Sequence, residues 1–241
     1  MKRIILVTGG QRSGKSTYAE KIVLEMAAKS AGGGPDSGMV QGGSEPGGMV
    51  RGGREPGGMV QGDSESGSMV PDGSVHADGR AVYMATSRIW DEEFAHRVKL
   101  HQQRRGPQWI NIEEPKYLSR HDVAGRVVLI DCVTLWSTNF FFDLSTEVQD
   151  ESVKATMNAG EAQESANMVE RTLQQIKGEF ERFTSQDAIF VFVTNEIGLC
   201  GVPENRVQRQ FTDLLGWLNQ YIASRADEVI FMVSGIPMKI K

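Results

Sequence analysis

Arg3-Ile4-Ile5-Leu6-Val7-Thr8-Gly9-Gly10-Gln11-Arg12-Ser13-Gly14-Lys15-Ser16 is the stretch from which the fold can be read. Four apolar β-formers, Ile4 to Val7, run into paired glycines, and Gly9 to Ser16 then satisfies GxxxxGK[ST] directly before an amphipathic segment of helical spacing. Strand, glycine turn and helix in this order are the context a phosphate-binding loop requires. Glycines let the backbone N–H groups of Gly9, Gly10, Gln11, Arg12, Ser13 and Gly14 converge on phosphate oxygens, and the helix adds the positive end of its dipole. Lys15 is expected to reach the β and γ phosphates as a catalytic group, and the Ser16 hydroxyl to ligate Mg²⁺. A glycine turn carrying a surface lysine would leave the Lys-Ser pair at this spacing unexplained.

Outward from this loop, short apolar runs alternate with longer amphipathic ones. Strands are expected at Ile4–Thr8, Ala81–Ala85, Val127–Asp131, Ile189–Thr194 and Glu228–Val233, and helices at Ser16–Ala28, Glu92–Arg105, Gln163–Phe183 and Glu204–Ala226. Val127-Val128-Leu129-Ile130 is apolar at every position, so both faces of its sheet should be covered. The expectation is an α/β fold with a mostly parallel sheet between helices. The polar stretch from Thr146 to Asn158 carries no readable pattern. Asp131 ends a buried run and is the natural carboxylate for a magnesium ion, with Glu196, after the strand at Ile189, as a second candidate.

Between about Ser30 and Gly79 the composition shifts to Gly, Ser, Pro and Glu. Gly38-Met39-Val40, Gly48-Met49-Val50, Gly58-Met59-Val60 and Ser68-Met69-Val70 recur there at a ten-residue step. Stacked repeats need a substantial apolar face per unit, so a disordered low-complexity insertion is expected at 30–79, rather than a solenoid, within one catalytic domain spanning 1–241. With 26 basic and 31 acidic side chains the net charge is -5, which offers no broad cationic field to nucleic acid. No apolar stretch is long enough to span a bilayer, and the opening residues read as a strand, not a signal peptide. Two cysteines, Cys132 and Cys200, without CxxC spacing fit a reduced cytoplasm and suggest no zinc site.

Four histidines are present. His76 falls in the insertion and His121 in a connection, while His96 and His101 lie on the expected second helix and point apart. His101 would share a face with Arg97, Arg104 and Arg105. Spacing alone leaves two readings: a solvated charged face, or an imidazole that attacks an α-phosphorus while guanidiniums neutralise the phosphates, giving a nucleotidyl-histidine.

Thr8–Ser16, Tyr83-Met84-Ala85-Thr86-Ser87, Arg97-Val98-Lys99-Leu100-His101, Val193-Thr194-Asn195-Glu196-Ile197-Gly198, Val202-Pro203-Glu204-Asn205-Arg206 and the ending from Ala226 to Lys241 together resemble the bifunctional adenosylcobinamide kinase/adenosylcobinamide-phosphate guanylyltransferase family. The resemblance covers nearly the whole chain apart from the insertion. It implies a RecA-like P-loop fold and an enzyme of cobalamin assembly. Such an enzyme phosphorylates adenosylcobinamide with ATP or GTP, then transfers GMP from GTP through a guanylyl-histidine, releasing pyrophosphate. By motif the nucleophile falls on His101, and nucleotide contacts fall on Gly9 to Ser16, Ala85, Thr86, Ser87, Gln102, Gln103, Arg104, Arg105, Glu113 and Asp131. The family also implies a homotrimer. Two departures stand out: Leu100 occupies a position where some relatives carry a second histidine, and the repetitive insertion is foreign to the pattern. A P-loop small-molecule kinase without guanylyltransferase activity is the rival enzyme, and a nucleotide-driven switch the rival of another class.

Overall fold

A computed structural model describes residues 2–30, 79–88, 105–152 and 161–241, with side chains excluded at 145–152 and 161–166. In chain order the elements are β1 (Arg3–Gly9), α1 (Lys15–Ser30), β2 (Ala81–Ala85), β3 (Trp109–Glu113), β4 (Val127–Asp131), α2 (Val133–Ser152), α3 (Glu161–Phe183), β5 (Ile189–Val193), α4 (Arg206–Arg225), β6 (Glu228–Val233) and β7 (Ile236–Lys239). The strands form one sheet in the order β3-β2-β4-β5-β1-β6-β7, parallel except for the antiparallel edge pair β6–β7. This is the α/β architecture expected from the alternation of apolar and amphipathic runs.

Strand periodicity divides the core. Ile4, Leu6, Val82, Met84, Val128, Ile130, Phe190 and Phe192 face one side, where Trp136, Phe140 and Phe141 of α2, Phe180 and Phe183 of α3, and Leu214, Leu215 and Leu218 of α4 pack against them. Ile5, Val7, Tyr83, Leu129, Val191 and Val193 face the other side, covered by Ala19, Val23 and Ala27 of α1. Those three residues recur every fourth position, one stripe of the helix, and the alanines let α1 lie close over the sheet. Trp136 is fully buried, and its Nε1 donates to the Lys116 carbonyl at 2.8 Å, which satisfies its polar end.

Because the strands are parallel, the C-terminal tips of β1, β2, β4, β5 and β6 gather along one edge. The phosphate loop, Asp131 and the residues after β5 all emerge there. β5 lies between β4 and β1, so whatever follows it stands between Asp131 and the phosphate loop.

Three elements lie outside the sequence expectation: β3, α2 and β7. Helix α4 begins at Arg206, not Glu204, because Asn205 caps it, its side chain accepting from the N–H groups of Val207 and Gln208. The expected helix Glu92–Arg105 falls outside the described residues up to position 104, and Arg105 itself is not helical. The expected insertion also falls outside them at 31–78.

Candidate nucleotide site

β1 ends at Gly9 with φ 147°, a conformation open to glycine, and a Cβ there would lie 2.5 Å from the Met232 carbonyl oxygen of β6. Gly14 closes the loop with φ 91°, its Cα facing Gly235 so tightly that a Cβ would stand 3.2 Å from that residue's Cα. The two-residue turn between β6 and β7, Ser234 (φ 50°) and Gly235 (φ 84°), is pressed against the loop, and the Gly235 N–H donates to the Ser13 carbonyl at 3.0 Å. Loop and hairpin therefore hold each other. Ser13 Oγ is buried without a hydrogen-bond partner among the described residues, a donor that a phosphate oxygen would satisfy.

Lys15 opens α1 and is itself buried, its Nζ donating to the Gly10 carbonyl at 2.5 Å across the mouth of the loop. Burial pushes its ammonium below the ordinary lysine range, against the opposing pull of Cys132, Asp131 and Glu196. A cation held without a salt bridge within the described residues, with the charges of two carboxylates acting on it, is poised to meet a polyphosphate. Ser16 follows at the helix start, half-buried.

Asp131 ends β4 on the α1 face, and its Oδ2 accepts from the Tyr83 hydroxyl at 2.5 Å. Tyr83 is buried between the Trp109 ring, edge-on at 5.5 Å, and the Arg105 guanidinium, whose Cζ lies 3.2 Å from the ring centroid. Burial and the Asp131 charge raise the phenol pKa, which keeps it a donor at neutral pH. Arg105, tyrosine and aspartate form a continuous chain, so a residue next to the His101 segment is coupled to the carboxylate at the strand tip. Asp131 Oδ1 accepts no hydrogen bond within the described residues. This oxygen and the Ser16 hydroxyl are hard donors of the kind that could hold Mg²⁺ alongside substrate phosphates and water, for which a larger protein cage is not required.

Thr86 plays a different part. Its Oγ1 both accepts from the Cys132 N–H at 2.9 Å and donates to the Cys132 carbonyl at 2.8 Å, its N–H donates to the Asp131 carbonyl, and its own carbonyl accepts from Asn139. Fully buried, it fastens the tip of β2 to that of β4. Ala85 lies opposite Asp131 in the register, Ser87 is half-buried beside Arg88, and Glu113 sits exposed at the tip of edge strand β3, paired with Ala85. His101, Gln102, Gln103 and Arg104 lie outside the described residues.

Glu196 follows β5 by three residues and is fixed at both ends. Its N–H donates to the Gly9 carbonyl at 3.2 Å, and its Oε1 accepts from Thr8 Oγ1 at 2.6 Å and from Asn219 Nδ2 at 3.4 Å. Asn219, buried on α4, also accepts from Thr194 Oγ1 at 2.8 Å and donates to the Asn195 carbonyl at 3.0 Å. The Thr134 hydroxyl of α2 takes the Asn195 N–H and side-chain amide, each at 3.1 Å. Sequence reasoning did not find the roles of Thr8, Asn219, Tyr83 or the Ser234–Gly235 turn. Only the last had a local signal, a Ser-Gly dipeptide between apolar runs.

The family whose model matches the chain, over residues 57–240, is described as cobinamide kinase / cobinamide phosphate guanyltransferase. Among curated proteins, the bifunctional adenosylcobalamin biosynthesis protein CobU of Escherichia coli (strain K12) is 30% identical over 242 residues, 99% of this chain and 99% of the relative. CobU of Salmonella typhimurium (strain LT2) matches with the same identity and the same coverage. The bifunctional adenosylcobalamin biosynthesis protein CobP of Pseudomonas aeruginosa is 32% identical over 163 residues, 66% of this chain and 81% of the relative. Matches covering 99% of the chain take in the phosphate loop, which lies before the family-matched residues. With its loop, its two strand-tip carboxylates and these relatives, the chain belongs to the cobinamide kinase / cobinamide phosphate guanyltransferase family.

Proposed function

We propose that this chain phosphorylates the aminopropanol hydroxyl of adenosylcobinamide with ATP or GTP and then passes GMP from GTP, through a guanylyl group on His101, to the new phosphate. Pyrophosphate leaves in the second reaction and the product is adenosylcobinamide-GDP. The observation that carries this reading is the buried Lys15 at a formed phosphate loop, with the charges of Asp131 and Glu196 acting on it, in a chain of this family. The N–H groups of the loop and Lys15 would grip the triphosphate and neutralise charge that builds on its oxygens. Ser16 and Asp131 would hold Mg²⁺, which supplies further neutralisation at the phosphates, and Tyr83 keeps the aspartate turned toward it. Gln102, Gln103, Arg104 and Arg105 are the proposed contacts around the transferred nucleotide, with Ala85, Ser87 and Glu113 on the neighbouring strand tips. Thr86 serves by holding β2 to β4. The domain is proposed to span 1–241 around the 30–79 insertion, to work in the cytoplasm and to assemble as a homotrimer. Among the described residues no helix is long and apolar enough to cross a membrane.

The test is incubation with α-labelled GTP and Mg²⁺, denaturation, and peptide mapping of retained label. Acid-labile, base-stable label at His101, absent from His101→Ala while that variant still phosphorylates cobinamide, is the expected result. No label in protein that binds GTP would leave a small-molecule kinase, with His101 reduced to a phosphate contact.

A further inference from the structure

We propose that Glu196 is the general base of the phosphoryl-transfer reaction, taking the proton of the substrate hydroxyl as that oxygen attacks the γ-phosphorus. The inference rests on the kinase half of the function proposed above and adds to it the group that activates the nucleophile.

Position comes first. Glu196 emerges from β5, which lies between β4, carrying Asp131, and β1, carrying the phosphate loop. Its N–H donates to the Gly9 carbonyl at 3.2 Å and its carboxylate is held by Thr8, so the acid stands beside the start of the phosphate loop, and its charge acts on the Lys15 ammonium. The other described carboxylates near the strand tips are committed or distant. Asp143 is taken by Arg88, at 2.6 and 2.7 Å, and by Lys116, at 2.9 Å. Glu114 accepts from the N–H groups of Lys116 and Tyr117. Glu113 belongs to edge strand β3, with β2, β4 and β5 between it and the phosphate-loop strand.

Orientation is the second point. A base must present one oxygen while the rest of the group is held still. Glu196 Oε1 is anchored on Thr8, the residue immediately before Gly9, whose side chain is buried. Oε2 accepts no hydrogen bond within the described residues, and no lysine or arginine among them pairs with the carboxylate. Glu196 is held by a hydroxyl and an amide, which fix its direction, and the Lys15 ammonium acts on it without forming an ion pair. Asp131 differs, since its anchoring phenol belongs to the chain leading to Arg105, and its remaining oxygen is the one proposed above to hold Mg²⁺ with Ser16.

Chemistry separates the two reactions. In the first, the substrate O–H bond breaks, its proton passes to Glu196 Oε2, the oxygen bonds to the γ-phosphorus, and the bond from that phosphorus to the β–γ bridging oxygen breaks, releasing the nucleoside diphosphate. In the second, the attacking groups are a neutral imidazole and then a phosphate monoester whose second pKa is about 6, so neither needs a proton removed near neutral pH. Glu196 is therefore required by one half of the enzyme.

The experiment measures both halves separately on purified Glu196→Gln and wild-type protein: ATP with cobinamide for phosphorylation, and GTP with pre-phosphorylated cobinamide for guanylyl transfer. Phosphorylation is expected to fall by about 10²- to 10⁴-fold in kcat, guanylyl transfer to stay within a few-fold, and the half-saturating Mg²⁺ concentration to stay unchanged. Glu196→Asp, which keeps the carboxylate on a shorter arm, should recover part of the rate. Equal loss of both reactions, or a raised Mg²⁺ requirement, would overturn the proposal in favour of a metal or structural role. Wild-type protein that forms no phosphorylated cobinamide would instead refute the kinase reading itself.

Discussion

Replacing Gly9 with alanine should damage the fold, whereas the same change at Gly10 should leave it nearly untouched. At Gly9 the new Cβ would lie 2.5 Å from the Met232 carbonyl oxygen and 3.0 Å from Ser13 Oγ, on a backbone with φ 147°. Holding a non-glycine residue in such a region costs about 1–3 kcal/mol, and forcing a methyl group into a closed space about 1–3 kcal/mol more. The sum is about 2–6 kcal/mol, and a chain of this size loses about 2–4 °C of Tm per kcal/mol, so the melting temperature should fall by about 4–24 °C. Gly10 is exposed, has no positive φ, and a Cβ there meets nothing within 4 Å. Its alanine variant should melt within about 2 °C of wild type, as surface changes do. Thermal unfolding by circular dichroism or calorimetry, with and without GTP, gives both numbers. Gly9→Ala melting with the wild type, or Gly10→Ala falling as far, would refute the packing of β1 against β6 described here.

Lys15→Ala removes a buried, charge-assisted contact and should weaken triphosphate binding by roughly 10- to 150-fold, the equivalent of about 1.5–3 kcal/mol, in both reactions, as read by isothermal titration with GTP and with ATP. Tyr83→Phe keeps the ring and its stacking on Arg105 but frees Asp131 Oδ2 to turn, so the half-saturating Mg²⁺ concentration for turnover should rise several-fold while Tm changes by only a few degrees. Arg88 and then Lys116 hold the Asp143 carboxyl down at about 2, below its ordinary 3.8. A group whose folded pKa is lowered contributes stability above its unfolded pKa and loses it as pH falls through the folded value. The Arg88–Lys116–Asp143 cluster should therefore stabilise fully above pH 3.8 and lose that contribution between 3.8 and about 2. Because the cluster is partly exposed the contribution is about 1 kcal/mol, and Asp143→Asn should lower Tm at neutral pH yet differ little from wild type near pH 2.

Residues whose environment is set by neighbours in sequence were the readable ones. Val127–Ile130 could hardly be other than a covered strand, and the run from Ile4 through the glycines to Lys15 dictated both strand and helix. β3 escaped because Trp109-Ile110-Asn111-Ile112-Glu113 is an edge strand with polar residues on its exposed positions, too short for alternation to stand out. α2 escaped for the opposite reason. Trp136, Phe140 and Phe141 bury one face while Phe142 remains exposed, and the β-branched and aromatic residues of Val133–Leu144 blur its helical period. In the proposed site, Lys15, Ser16 and Asp131 announce themselves through motif and position. The grip of Thr8 on Glu196, or of Tyr83 on Asp131, joins residues 188 and 48 positions apart, and no local pattern encodes such pairs.

The central place of β1 also has a meaning in time. β1, the first of the described strands in chain order, is held between β5 and β6, two of the last three, and its loop is braced by the turn at Ser234–Gly235. Until those residues emerge, β1 has no permanent neighbour on either side and the nucleotide pocket has no wall. At about 5–20 residues per second, that wait lasts roughly ten to fifty seconds, during which Ile4-Ile5-Leu6-Val7 is an unpaired apolar strand. Nascent chains halted before β6 should be unable to retain GTP, because the phosphate loop gains its bracing only once the last described strands have been made.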